Sequence, residues 1–284
     1  MLIEHETNAI GTPNTLARLR NARGWIFDMD GVLYRGSDPL PGVRELFDAL
    51  LLRERQFMLA TNNSMSTPQA YERKLAAMGL EVPAEAVLTS ALATREYLLR
   101  TLPLESSLYV IGMPALREQL FAGTSFHPAE DGEGPPAAVV IGLDLDFTYE
   151  KLKAGHQAIQ QGARFIATNS DSTLPTESGL VPGAGSIVAA LATASDQAPV
   201  VIGKPETPML EMAMERMGTP PNETVMIGDR LDTDILAGQR AGTITVLVLT
   251  GVCTRDDLAT AEVLPDYVVS DLPSLVAALV AEPS

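Results

Sequence analysis

Short, unbroken apolar runs alternate along the chain with longer stretches whose apolar residues recur every three or four positions. The runs read as buried strands and the periodic stretches as amphipathic helices. Strands are expected at 25–27, 56–61, 87–89, 108–111, 137–141, 164–167, 200–202, 224–227, 245–249 and 266–269. Between them, helical spacing covers 43–53, 69–78, 91–102, 115–121, 149–161, 186–194, 208–217, 235–241 and 273–280. Pro68 suits a helix start and Gly79 a stop. Residues 128–136 and the Gly/Pro-rich 179–185 read as loop and turn. Residues 1–23 read as a polar leader with a short helical piece at 15–20.

Strand–helix–strand alternation, with crossovers long enough for parallel pairing, predicts an α/β protein with helices on both faces of a parallel sheet. At 284 residues, two domains are expected rather than one. Candidate hinges at 83–90 and 195–197 divide the chain into a discontinuous core, 1–90 with 196–284, and an inserted domain, 91–195. A weak internal echo runs between these parts. Gln56–Asn62 resembles Ala163–Asn169, and Asp28-Met-Asp30 resembles Asp144-Leu-Asp146. The second pair is a decoy for the first, and chemistry has to separate them.

Composition narrows the function classes. A formal charge of −16 argues against non-specific binding to a nucleic-acid polymer or an anionic membrane. Cys253 is the only cysteine, so neither a disulfide framework nor a thiolate zinc site is expected. His5, His127 and His156 are too far apart in sequence to form a ligand-spaced pair. No apolar run approaches a membrane span, and the first 24 residues lack the core of a signal peptide, so a cytoplasmic protein is expected.

Candidate chemistry gathers at four strand ends. The run Trp25–Phe27 ends in Asp28, followed by Asp30 and then Gly31, which turns the chain at no Cβ cost. Residues i and i+2 of extended backbone share a side, so two carboxylates face one space where open α/β sheets bind ligands. The other ends carry Thr61-Asn62-Asn63, Gly203-Lys204-Pro205, and Asp229 with Asp234. Carboxylates suit Mg²⁺, while a hydroxyl, backbone N–H groups and a lysine suit an anion. Together they describe a site for a metal-neutralised phosphoryl group. A plain helix N-terminal acid is the alternative for Asp234.

In this order the four motifs resemble the haloacid dehalogenase superfamily of phosphatases and phosphotransferases. Val139–Leu152, Ala167–Gly185 and Leu247–Val252 are similar to its class IIA branch, which includes nitrophenylphosphatase-like and phosphoglycolate phosphatase-like enzymes. The resemblance implies a Rossmann-like core with an inserted α/β cap of the C2 type. It implies a Mg²⁺-dependent phosphatase acting on sugar phosphates, nucleotides, phosphoglycolate or aryl phosphates through an aspartyl-phosphate. Asp28 would be the nucleophile, and Asp30 the acid–base group as well as a metal ligand through its main-chain carbonyl. Thr61 through its hydroxyl, Asn62 and Asn63 through backbone N–H groups, and Lys204 through its charge would contact the phosphoryl group, with Thr61 and Lys204 counted among the catalytic residues. Asp28, Asp229 and Asp234 would complete the metal site, Asp234 alternatively orienting Lys204. Asp144, Asp171 and Glu177 are the cap's candidate substrate contacts, with turn-forming roles as the alternative. Cap-mediated homodimers are common among look-alikes, so a homodimer is a candidate assembly. Competing expectations are a phosphotransferase or phosphomutase on sugar phosphates, and a non-enzymatic phospho-ligand sensor.

Overall fold

The computed structural model describes residues 3–4, 10–11, 13–130, 134–176 and 179–280. The chain forms two compact units. The first comprises Met1–Thr61, Gln69–Leu88 and Pro205–Ser284; the second comprises Asn62–Pro68 and Thr89–Lys204.

The first unit is built on an eight-stranded sheet. Its order is Ile3–Glu4, Ile10–Gly11, Tyr267–Val269, Ile244–Val248, Thr224–Gly228, Gly24–Phe27, Gln56–Thr61 and Val87–Thr89. The pairings among Tyr267–Val269, Ile244–Val248, Thr224–Gly228, Gly24–Phe27 and Gln56–Thr61 are parallel. Every residue of Gly24–Phe27, Thr224–Gly228 and Ile244–Val248 is buried, as expected of strands covered on both faces. Helix Val43–Leu51 turns Val43, Leu46, Phe47 and Leu50 into the core, and Phe27, Phe47 and Phe57 pack there ring against ring.

The leader contributes more than its polar sequence suggests. Its helix spans Pro13–Asn21 and buries Leu19, while Ile10 pairs antiparallel with Val268 at the sheet edge. Two-residue strands carry too few positions to show a period, so the sequence pattern holds no trace of them.

The second unit has its own parallel sheet, in the order Val200–Val201, Arg164–Ala167, Ala138–Ile141, Ser107–Ile111 and His127–Pro128. Helices Tyr149–Gln160 and Ala184–Ser195 cover it, burying Ile159, Ile187, Val188 and Leu191. The stretch read as a Gly/Pro turn is instead half of an antiparallel hairpin, Thr173–Thr176 with Gly179–Pro182. Gly179 and Leu180 are exposed, so no buried face imposed an apolar alternation there. No helix among the described residues is long and apolar enough to cross a membrane.

Candidate active site

Three carboxylates converge at the carboxyl ends of two neighbouring central strands of the first unit. Asp28 follows Gly24–Phe27, and its N–H donates to the Ile227 carbonyl of the adjacent strand at 2.8 Å. Asp229 follows Thr224–Gly228, and Asp234 lies in the wide π-type turn Leu231–Ile235 just beyond. One oxygen from each of Asp28, Asp229 and Asp234 lies within 4.8 Å of the other two. Asp229 and Asp234 are only 3% and 1% exposed. Each ionised pair at that separation repels by about 3 kcal/mol even at an effective dielectric of ~20, on the order of 10 kcal/mol for three. That rivals the net stability of a whole domain, so positive charge close to the three carboxylates is strongly favoured. An all-oxygen donor set of this kind fits a hard divalent ion such as Mg²⁺.

Residues without side chains let the carboxylates sit this close. Gly31 has φ 79°, and a Cβ there would stand 2.6 Å from Asp229 Oδ2 and 2.9 Å from Gly251 Cα. A Cβ on Gly251 would overlap the Asp229 side chain, and one on Gly228 would overlap that of Asp234. Backbone N–H groups then fix the acids. Val252 N–H donates to Asp229 Oδ2 at 2.7 Å, and Arg230 N–H to Asp234 Oδ2 at 3.1 Å. Thr250 Oγ1 donates to the Gly31 carbonyl at 2.7 Å, tying the segment after Ile244–Val248 to the turn after Asp28.

Asp30 lies in that turn, which is closed by Leu33 N–H donating to Met29 O at 2.8 Å and Gly31 N–H to Tyr34 O at 2.9 Å. Its side chain reaches solvent. The surrounding protein still removes enough water to push its carboxyl above the ordinary range, against the smaller, opposite effect of Lys74. Lys74 Nζ sits 3.7 Å from the centroid of the buried Tyr34 ring. Burial, then the negative charges of Tyr71, Asp30 and Asp28, push the Tyr34 phenol far up, so it stays neutral. Thr61 ends the strand beside Gly24–Phe27 and is buried.

The other expected site residues belong to the second unit. Lys204 is its last residue and is 2% exposed. Asn62 lies against the Lys204 peptide groups. Its Oδ1 accepts from Lys204 N–H at 2.9 Å, and its Nδ2 donates to Lys204 O at 2.8 Å and to Asp171 Oδ1 at 2.9 Å. Asn63 Oδ1 accepts from Met65 N–H at 2.7 Å, a turn of the Asx kind. The decoy Asp144 accepts from Lys151 Nζ at 2.8 Å and from Asp146 N–H at 3.0 Å, with its side chain 2% exposed. A lysine seven residues on thus neutralises it. Glu177 lies outside the described residues.

The sequence pattern did not point to Lys74, or to Gly251 and Val252 as supports of Asp229. The sequence signals for the second are a Gly close behind an apolar strand and the likeness of Leu247–Val252 to the class IIA branch, neither of which points to Asp229. Nothing near Lys74 in sequence marks it.

Comparison with known proteins places this geometry. The Haloacid dehalogenase-like hydrolase family model matches residues 25–123, and a HAD-hydrolase-like model matches residues 201–275. The 5'-nucleotidase YutF of Bacillus subtilis is 36% identical over 254 residues, 89% of this chain and 97% of that protein. The structure of a 4-nitrophenylphosphatase from Thermotoga maritima superposes with a TM-score of 0.85 at 38% identity, covering 92% of this chain and 99% of that one. A glycerol phosphate phosphatase from Mycobacterium tuberculosis, solved in complex with magnesium, gives a TM-score of 0.80 at 34% identity over 91% and 77%. Matches of this identity and coverage are not confined to one domain. The chain belongs to the haloacid dehalogenase superfamily of hydrolases, in its class IIA branch of phosphatases.

Proposed function

We propose that this protein is a Mg²⁺-dependent phosphatase that cleaves small phosphomonoesters by way of a phosphorylated Asp28. The observation that carries the reading is the meeting of Asp28, Asp229 and Asp234 at the carboxyl ends of two central strands, with Asp30 two residues after Asp28. Asp229, Asp234 and the Asp28 carboxylate would hold the ion, with the Asp30 main-chain carbonyl as the resemblance implies. Bound there, Mg²⁺ would offset the charge of carboxylate and phosphate so that the two can approach. The magnesium complex of the mycobacterial relative is consistent with this choice of ion.

An Asp28 oxygen attacks phosphorus, forming one O–P bond as the bond to the leaving alkoxide breaks. Asp30 gives the alkoxide its proton. Water then attacks the aspartyl-phosphate and Asp30 takes a proton back, releasing phosphate and restoring the Asp28 carboxylate. An acid–base group so placed contributes typically ~10²–10⁴-fold. Its raised pKa suits the task, because it keeps the acid form available to higher pH. Thr61 donates its hydroxyl to the transferring group, and Lys204 supplies a positive charge to the phosphoryl oxygens.

The relatives are named for nucleotide, aryl phosphate and glycerol phosphate substrates, and sugar phosphates fall in the same class of small monoesters. Kinetics with 4-nitrophenyl phosphate test the reading. Wild type should release nitrophenol and inorganic phosphate in equal amounts, lose activity to a chelator and regain it with Mg²⁺. Asp28→Asn should be inactive with an unchanged melting temperature. Turnover by Asp28→Asn, or indifference to chelation, would remove the nucleophile or the metal. A panel of phosphorylated metabolites ranked by kcat/KM then identifies the substrate.

A further inference from the structure

The resemblance puts the backbone N–H groups around Asn62 at the phosphoryl group, and the Asn62 side chain has a separate set of partners. Its amide meets both peptide groups of Lys204, accepting from the N–H and donating to the carbonyl. Only one orientation of the amide satisfies both contacts, because the Lys204 N–H needs an acceptor and the Lys204 and Asp171 oxygens need a donor. The second Nδ2 proton goes to Asp171 Oδ1.

The backbone of Asn62 is held as firmly. Its carbonyl accepts from Ser90 Oγ at 2.6 Å and from Asn169 Nδ2 at 2.8 Å. Ser90 is fully buried and Asn169 nearly so. Asn169 Oδ1 in turn accepts from Asp171 N–H at 3.1 Å. The neighbouring residue is shaped to the same contact: a Cβ on Gly203 would stand 2.6 Å from both Asn62 Oδ1 and Thr168 O. The chain around Lys204 therefore has one seat, whose walls come from three other segments of the second unit.

We propose that Asn62 is a positioning residue that fixes the Lys204 main chain, so that the ammonium is presented to the phosphoryl group in one place. Asp171 is the residue that orients the Asn62 amide. The claim rests on the reading of Lys204 as the phosphoryl-binding lysine. A long, flexible lysine is a poor electrostatic catalyst unless its root is fixed, because misplacement of a reacting group by about 1 Å can cost ~10²-fold.

The test is a double-mutant cycle on Asn62→Ala and Lys204→Ala. It reads kcat and KM for 4-nitrophenyl phosphate, together with the affinity for inorganic phosphate by calorimetry in Mg²⁺. Asn62→Ala should lower kcat by about 10–100-fold, the range expected when the support of a functional group is lost. KM should change by less than about threefold, and circular dichroism should not change. In the Lys204→Ala background the same substitution should weaken phosphate binding no further, since both act through one group. Equal losses in both backgrounds would mean that Asn62 meets phosphate directly, and would overturn the proposal. Wild-type kcat in Asn62→Ala alongside a dead Lys204→Ala would also overturn it while leaving the lysine's role intact. Full activity in Lys204→Ala would instead overturn the underlying reading.

Asn62→Asp is the second variant, for the case in which the alanine disturbs folding. It keeps an acceptor for Lys204 N–H but sets a carboxylate against both Asp171 and the Lys204 carbonyl, and Asp171→Asn relieves the first of these. Adding Asp171→Asn should recover several-fold in kcat. No recovery in a folded double variant would exclude the Asp171–Asn62–Lys204 relay.

Discussion

Replacing Gly251 by alanine should damage the metal site without touching a ligand. The new Cβ would occupy the volume of the Asp229 carboxylate, so that side chain must swing or the segment after Ile244–Val248 must retreat. Either movement breaks the 2.7 Å bond from Val252 N–H to Asp229 Oδ2. A hydrogen bond to a charged group is worth about 1.5–3 kcal/mol, and overpacking a close contact costs about 1–3 kcal/mol. If half of the bond's worth appears in ion binding, the Mg²⁺ concentration for half-maximal activity rises about 3–12-fold at ~1.4 kcal/mol per tenfold. Turnover at saturating Mg²⁺ should fall about 10–100-fold, as for lost supports of metal ligands generally. The assay is nitrophenyl phosphate hydrolysis over a Mg²⁺ series, with a melting curve of each protein. Gly218→Ala is the control. Its φ of 65° strains an alanine by about 1–2 kcal/mol, but no atom lies within 4 Å of the added Cβ. It should lower the melting temperature and leave the Mg²⁺ curve in place. If Gly251→Ala behaves like Gly218→Ala, with a wild-type Mg²⁺ requirement and turnover, the idea that this glycine makes room for Asp229 is wrong.

Two further outcomes follow from charges described above. Lys74 lowers the Asp30 pKa against the larger effect of burial. Removing it by Lys74→Met should raise that pKa, keep the acid form to higher pH and move the alkaline limb of the kcat profile upward; an unmoved or lowered limb would count against Asp30 as the acid. In the second unit, Lys151→Met strands the Asp144 carboxylate, whose side chain is 2% exposed. Urea denaturation should show about 3 kcal/mol lost, a large part of it regained when Asp144→Asn is added.

Strands of the central sheet were legible because both of their faces are covered, which leaves an unbroken apolar run as their mark. Trp25–Phe27 and Thr224–Ile227 are of this kind, and each hands the chain directly to an aspartate. The meeting of Asp28 with Asp229 and Asp234 is therefore legible in the amino-acid sequence. What escaped reading was set by contacts distant in sequence. The Thr173–Pro182 hairpin leaves Gly179, Leu180 and Pro182 exposed, and Ile10 finds Val268 only in the folded sheet. Asn62 was read by its place in a motif, although its neighbours Asp171 and Lys204 are 109 and 142 residues away. Lys74 reaches Tyr34 from the other end of a helix–strand connection. Residue type showed which groups can do chemistry, while tertiary approach decided what each one touches.

The pairing of Gly24–Phe27 with Thr224–Gly228 has a consequence for biosynthesis. Trp25 waits for Val225, its partner in the ladder, 200 residues downstream by their numbering. At about 5–20 residues per second the ribosome takes about 10–40 s to deliver that partner. Throughout this interval one edge of this short apolar strand stands open to solvent and to chaperones. Residues 89–204, by contrast, emerge without interruption and contain every strand of their own sheet. A nascent chain arrested after residue 204 should accordingly carry a protease-resistant inner segment on a still-digestible amino-terminal part.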